Sequence, residues 1–278
     1  MSDFVQFARD HGLILDHPVA DGRWHRVKTV DHPKKRNGAY AFWGDRGCLQ
    51  NWATMERTAA WRQNGEAQYP APRAAVVASA LEHRQRYAEA GQRAATLLSE
   101  CEEANHPYLV RKGFQAAVGL VHPNGELLIP MRDVRRYDQI NSAQRISPDG
   151  TKKFLLGGKA KGSVFRMGSR GPFWLVEGYA TGLTVFAALR DLHQQARVLV
   201  CFSAGNLVHV AQFIPAPAFV FADHDESQAG KKAAIDSGLP YCMSAQIGDA
   251  NDLHQSKGLR AVCSLMLDTQ NAAEDFAA

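Results

Sequence analysis

At 278 residues, with 45% hydrophobic and 22% charged residues, the chain has the composition of an ordinary globular protein and is long enough for one large domain or two smaller ones. No run approaches the roughly eighteen apolar residues of a membrane span, and the opening MSDFVQFARDHG lacks the basic and apolar regions of a secretion signal, so a cytoplasmic protein without membrane contact is expected. The cysteines Cys48, Cys101, Cys201, Cys242 and Cys263 include no C-x-x-C pair, which argues against a zinc ribbon or a disulfide framework.

The net charge of +4 is unevenly spread: residues 1–100 carry +3, 101–170 carry +6 and 171–278 carry −5. A basic middle followed by an acidic end suits a chain that holds a polyanion with one region and a divalent cation with another.

Within residues 1–70, RWHRV and AYAFW are predicted short strands around the basic turn DHPKKRNG. Tyr40, Phe42 and Trp43 lie near Lys34, Lys35 and Arg36 in sequence. Such a mixture either grips single-stranded nucleic acid by stacking and phosphate contact or divides into core aromatics and a solvated hairpin tip. His17, His25 and His32 follow no metal-ligand spacing.

After the Pro-rich YPAPR, the stretch from Ala74 to Cys101 predicts a helical connector, residues 71–105. From His106 to Arg170 the texture changes. HPYLVRKG, GELLIPMRD and QRISPDGTKKFLLGG are predicted strands of a small antiparallel sheet in a strand-rich basic subdomain, 106–170. GGKAKGS lacks the spacing of a phosphate loop, so no nucleoside-triphosphatase is read here.

Residues 171–278 carry the clearest pattern. FWLVEG, VLVCF and AFVFADHD are apolar runs without alternation, followed by helical segments in ATGLTVFAALRDL, LVHVAQF and KKAAIDSG, with SAGN as a turn and YCMSA as a short fourth strand. Strands of this kind, separated by helices, predict a parallel sheet covered on both faces.

In such sheets ligands bind outside the carboxyl ends of the strands. Glu177 ends the first strand, Asp223 and Asp225 end the third, and Asp249 and Asp252 follow the fourth. Alternation along an extended chain would turn Asp223 and Asp225 to one side, His224 to the other, so that the aspartates could share an ion. Magnesium takes oxygen ligands and keeps several waters, which suits two or three carboxylates. Asp249 and Asp252 are equally well placed to cap a helix.

A strand ending in Glu-Gly, a crossover, and a later strand ending in Asp-x-Asp resemble the Toprim domain. EGYATGLTV, CFSAGNLVHVA, FADHDESQAGKKAA and GDANDLH resemble the Toprim primases of plasmids and phages, and HPYLVRKG, LLIPMRD and SPDGTKKFLLGG resemble the segment preceding Toprim in that group, for a coverage of about residues 105–260. The resemblance implies an α/β fold: a Toprim-type parallel sheet sandwiched by helices, preceded by a smaller strand-rich α+β subdomain and an N-terminal segment. It implies a magnesium-dependent DNA primase, with manganese as a substitute and no zinc, acting on single-stranded DNA and nucleoside triphosphates beside a separate helicase.

The same fold could serve a Toprim nuclease or a non-catalytic single-strand-binding accessory protein. In the primase reading, Glu177 is the acid/base residue or a metal contact, Asp223 and Asp225 hold magnesium, and Asp249 and Asp252 complete the acidic end. Lys152, Lys153, Arg145 and Arg132 form a basic wall for template or nucleotide, with Arg111 and Lys112 as further contacts. Asn206, in the turn after the second strand, either touches nucleotide or shapes the turn.

Overall fold

Phe4, Val5 and Ala8 line the buried side of the first helix, α1 (Asp3–Asp10). Against it folds an antiparallel sheet of β1 (Leu13–Ile14), β2 (His25–Thr29), β3 (Gly38–Phe42), β4 (Arg46–Asn51) and β5 (Ala59–Arg62), paired in that order. The computed structural model describes residues 3–55, 57–63 and 73–277, and the chain divides into two units, 1–77 and 78–278. Residues 69–72 of the Pro-rich junction, with the boundary expected at 70/71, lie outside the described residues.

The described aromatics of the first unit divide between core and surface. Tyr40 and Phe42 are core residues, and Phe42 stacks on Phe4 with ring centroids 4.6 Å apart. Trp43 is half-buried. Among the described residues of this unit the exposed aromatics are Trp24 and Trp52, and the guanidinium of Arg26 lies 4.3 Å from the centre of the Trp52 ring.

The second unit begins within the long helix α2 (Arg73–Ser99) and continues with β6 (Glu102–Ala104), α3 (Pro107–Arg111), β7 (Gly119–Val121), β8 (Leu127–Asp133), β9 (Ile140–Ile146), β10 (Lys152–Phe154) and β11 (Ser163–Met167). There follow β12 (Phe173–Val176), α4 (Tyr179–Asp191), β13 (Arg197–Val200), α5 (Ala204–Ala211), β14 (Ala218–Ala222), α6 (Ala229–Ser237), β15 (Tyr241–Met243), α7 (Ala250–Lys257) and α8 (Leu259–Ala277).

HPYLVRKG is a helix rather than the expected strand. Pro107 occupies the first turn, where its missing N–H costs nothing, and the His106 ring accepts from the Tyr108 N–H at 3.2 Å. SAGN is likewise no free turn: Ser203 caps α5, which starts at Ala204 and takes Asn206 into its first turn.

The strands form one mixed α/β sheet in the order β10-β9-β8-β11-β13-β12-β14-β15, with β7 on β8 and β6 on β7. β11 pairs antiparallel with both β8 and β13, so the sheet passes through the boundary expected at 170/171 without a break. β13, β12, β14 and β15 are mutually parallel. Side-chain alternation explains the absence of polar positions in these strands. Trp174, Val176, Val198, Val200, Phe219 and Phe221 pack with α4, α7 and α8. Leu175, Leu199, Cys201, Val220 and Ala222 pack with α5 and α6 on the opposite face. Both faces are therefore buried, as a covered parallel sheet requires. No helix among the described residues is long and apolar enough to cross a membrane.

Candidate active site

The chain leaves β12 toward α4 on one face of the sheet and leaves its neighbour β14 toward α6 on the other. Such a divergence opens a crevice at the carboxyl ends of the strands. Glu177 stands at the exit of β12, and Asp223 at the exit of β14.

Glu177 is held from both sides. Its carbonyl accepts from the Phe202 N–H at 2.8 Å, and the Ala204 N–H at the start of α5 lies close enough to its carboxylate to favour the charged form. Burial raises its pKa; the Ala204 N–H opposes this, Asp225 adds to it, and Lys152 opposes it. Phe202 adopts φ 68°, a left-handed conformation rare for a bulky residue, in the turn that brings α5 to Glu177.

Asp223 is positioned by a bridge that strand alternation alone could not reveal. Beyond β14, His224 and Gly248 exchange two backbone hydrogen bonds, of 3.0 and 2.8 Å, and so tie the exit of β14 to the loop after β15. This brings Asp249 beside Asp223. Burial, then Asp249, then Glu177 push the Asp223 carboxyl up to about 7, with Lys152 acting in the opposite sense. Its Oδ1 is sealed from solvent and has no hydrogen-bond partner. The His224 ring faces away, toward the Ser244 carbonyl at 2.9 Å.

Asp225 has a different environment. Its carboxylate accepts from the Ser227 hydroxyl, from the Gly230 N–H at 2.9 Å and from the Ala229 N–H at 3.2 Å, which hold its pKa down to about 2. Gly230, which sequence reasoning did not single out, makes this possible: a Cβ there would lie 2.1 Å from the Asp223 carbonyl oxygen. Gly230→Ala is therefore expected to lower stability by about 1–3 kcal/mol by forcing the acidic loop off α6. Gly205→Ala, with nothing within 4 Å of its Cβ, should gain up to ~1 kcal/mol of helix propensity. Chemical denaturation of the two variants compares them directly.

Asp249 and Asp252 form a capping box on α7. The Asp249 carboxylate accepts from the Asn251 and Asp252 N–H groups at 2.7 and 2.9 Å and from the Thr181 hydroxyl at 3.1 Å, while Asp252 Oδ2 accepts from the Asp249 N–H at 3.0 Å. Thr181, buried in α4, is a second residue that sequence reasoning missed.

The basic wall does not assemble as expected. Lys152 is brought to the acidic end and lies with its Nζ 5.5 Å from the centre of the Tyr108 ring. With Arg111 and Lys112 it lines a cavity of about 430 Å³ that Asp252 also borders. Lys153 is opposite Arg145 in the β9–β10 register, so these two share the other face of the sheet. Arg145 is engaged by Glu126 at 2.6 Å, and Arg132 donates to the carbonyls of Tyr137 and Asp138 at 3.3 Å. The Asn206 amide is engaged within the fold: it accepts from the Gly162 N–H at 2.7 Å and donates to the Ser163 and Cys201 carbonyls at 2.8 and 2.7 Å.

The described residues include no group of three or more His, Cys, Asp or Glu side chains that could hold a metal ion by themselves. Magnesium does not need one, because it is commonly held through one or two carboxylates together with water and substrate phosphates. The sealed, unpartnered oxygen of Asp223, repelled by Glu177 and Asp249, fits such a cation.

Over 275 residues the chain is 27% identical to a DNA primase TraC of Escherichia coli, a match covering 87% of this chain and 25% of the relative. A second DNA primase TraC of the same organism is 28% identical over 257 residues, covering 80% of this chain and 17% of the relative. The chain is similar to DNA primases. It spans at most about a quarter of the length of these primase relatives. No protein-family model matches it.

Among solved structures, the RNA polymerase domain of Mycobacterium tuberculosis primase DnaG aligns at 17% identity and TM-score 0.36, over 70% of this chain and 83% of that one. A complex of bacteriophage T7 lagging-strand DNA polymerase with gp4 primase domains aligns at 20% identity and TM-score 0.35, over 52% of this chain and 76% of that one.

Proposed function

We propose that this chain catalyses primer synthesis on single-stranded DNA, using a Toprim-type acidic site for magnesium-dependent nucleotidyl transfer. The observation that carries this reading is the meeting of Glu177 and the unpartnered Asp223 at the divergence of β12 and β14, beside the Arg111–Lys112–Lys152 cavity. The primase relatives support it.

Asp223 and Asp225 would hold the magnesium ion, for which manganese could substitute, with Asp249 behind them. When bound, the ion would neutralise charge on the phosphates during transfer. Arg111, Lys112 and Lys152 would receive the triphosphate. Glu177, whose pKa burial raises, would accept the proton of the attacking 3′-hydroxyl. A bond forms between that oxygen and the α-phosphorus, the bond from the α-phosphorus to the bridging oxygen breaks, and pyrophosphate leaves. Unwinding of duplex DNA would fall to a separate helicase.

Incubation with single-stranded circular DNA, labelled nucleoside triphosphates and magnesium tests the reading. Short labelled products are expected. Shortened DNA would indicate a nuclease, and binding without either product would indicate an accessory protein.

The split of the basic wall makes a further prediction. Lys152→Ala should lower kcat/KM about tenfold, the scale of a lost contact between charged groups. It should also move the acid limb of the pH–rate profile upward, because Lys152 opposes the raised pKa of both Glu177 and Asp223. Lys153→Ala, on the other face, should do neither. Rate measurements across pH on both variants check this.

A further inference from the structure

Strand β10 ends the sheet: it pairs with β9, and its other edge carries no strand among the described residues. Side chains alternate along it, so Lys152 and Phe154 share one face and Lys153 takes the other. Lys152 acts on the charge of both Glu177 and Asp223, which places this face at the acidic crevice. Phe154 nonetheless remains 46% exposed, and Leu156, in the turn that follows, is 89% exposed. The ring does not sit on a loose end. The Leu155 N–H donates to the Ala143 carbonyl at 3.0 Å, and Arg93 of α2 donates to the Leu156 carbonyl at 3.0 Å.

A single exposed apolar side chain is ordinary. What distinguishes Phe154 is the ring it meets. Its centroid lies 6.2 Å from that of Phe202, with the planes at 85°, an edge-to-face pair. Phe202 is the residue whose N–H bonds the Glu177 carbonyl and whose left-handed backbone, φ 68°, turns the chain from β13 toward α5. Three strands, β9, β8 and β11, separate β10 from β13 in the sheet, roughly 19 Å if the sheet were flat. The rings therefore meet only because the sheet curls, and the curl gives the crevice a second wall, made of Lys152 and the aromatic pair.

A flat apolar ring beside a cation and a candidate general base suits a molecule with three matching parts: a planar heterocycle, a phosphate and a hydroxyl. A nucleotide has them, and every nucleobase has a π-face to lay on an aromatic side chain. The cavity proposed for the incoming triphosphate runs from Tyr108 to Lys152 and does not reach Phe154, which leaves this ring for the other nucleotide of the reaction. We propose that Phe154, backed by Phe202, is a stacking platform for the base of the nucleotide that supplies the attacking 3′-hydroxyl. The proposal deepens the primer-synthesis reading and rests on it for the choice of nucleotide, while stacking itself is measured without catalysis.

The probe is 2-aminopurine ribonucleoside 5′-monophosphate, whose fluorescence is quenched on stacking, titrated with the full chain and magnesium and no other nucleotide. Quenching at saturation is expected for the wild type. Phe154→Ala should bind about tenfold more weakly, the scale of one lost base–aromatic stack, and lose the quenching. Phe154→Leu, which keeps apolar bulk without a ring, should also lose it, and Phe154→Tyr should restore it. Tripolyphosphate, directed at the Arg111–Lys112–Lys152 cavity, should leave the quenching in place. In extension of a dinucleotide primer, Phe154→Leu should raise the KM for the dinucleotide about tenfold, with kcat and the KM for the incoming triphosphate little changed.

Quenching that survives in Phe154→Ala or Phe154→Leu overturns the platform, and so does a wild type that does not quench. Displacement of the probe by tripolyphosphate would seat the base with the incoming triphosphate and overturn the choice of nucleotide. If Phe154→Ala melts early, the Leu and Tyr variants decide. Quenching through Phe154 in a chain that lengthens no primer would refute the primase reading and leave the platform standing.

Discussion

Asp223→Asn is expected to abolish nucleotide addition while raising the melting temperature in metal-free buffer at pH 8. The amide keeps the size of the side chain but loses the charge that would bind magnesium. Burial first, and then repulsion from Asp249 and Glu177, lift the Asp223 carboxyl from its ordinary 3.8 to about 7, and the neutral amide escapes both penalties on a charge. The folded chain thus holds this proton more tightly than the unfolded one. For this group, stability is greatest below about pH 4, declines as pH rises toward 7, and carries the full penalty above that.

Each pKa step is worth about 1.4 kcal/mol, which sets a ceiling of roughly 4 kcal/mol on the penalty. The cost of burying the amide takes back part of the gain. Because about 1 kcal/mol moves the melting temperature of a body this size by roughly 2–4 °C, a rise of several degrees is expected at pH 8 and none near pH 4. Calorimetric melts in EDTA at the two pH values give the answer. Equal melting of wild type and variant at pH 8 would mean that Asp223 carries no penalty from its neighbours. Added magnesium should stabilise the wild type and not the variant, since only the former would bind it.

Glu177→Gln is expected to lower the rate of nucleotide addition by a hundredfold or more, about the scale of a lost general base, with magnesium affinity nearly unchanged. Glu177 leaves a different strand from the aspartates, and the Ala204 N–H favours its charged form. It stands in the crevice beside the aspartates, on a separate strand. As the base it must be ionised, so the wild-type rate should rise with pH through its raised pKa, and this limb should vanish in the variant. Asp225→Asn should instead lose magnesium affinity as its main defect. Magnesium titrations by calorimetry, together with rates at saturating metal, separate the two roles. Loss of affinity in Glu177→Gln as severe as in Asp225→Asn, with the rate restored at high magnesium, would make Glu177 a ligand and not the base.

Much of the parallel sheet was legible because burial on both faces removes polar alternation, so FWLV, VLV and AFVFA stand out as uninterrupted apolar runs whose ends mark the crevice. Glu177 and Asp223 could be placed from that pattern alone. The order of capping and liganding groups could not be. Asp249 and Asp252 suit either role until Asp249 is seen to accept from the first N–H groups of α7.

Short elements were ambiguous for a related reason. HPYLVRKG is too brief to show a period, and its helix is decided by Pro107 and the His106 cap. The basic residues were the least legible, because a side chain's face depends on strand register. Lys152 and Lys153 are neighbours in sequence, yet pairing with Ile146 and Arg145 sends them to opposite sides. Lys161 and Arg136 lie 25 residues apart and meet because Asp133 binds both loops. By itself the sequence determined where strands end in acid, since burial and helix period act locally. Which cations reach that acid was decided only by the tertiary structure, because register and loop closure join residues that no local pattern connects.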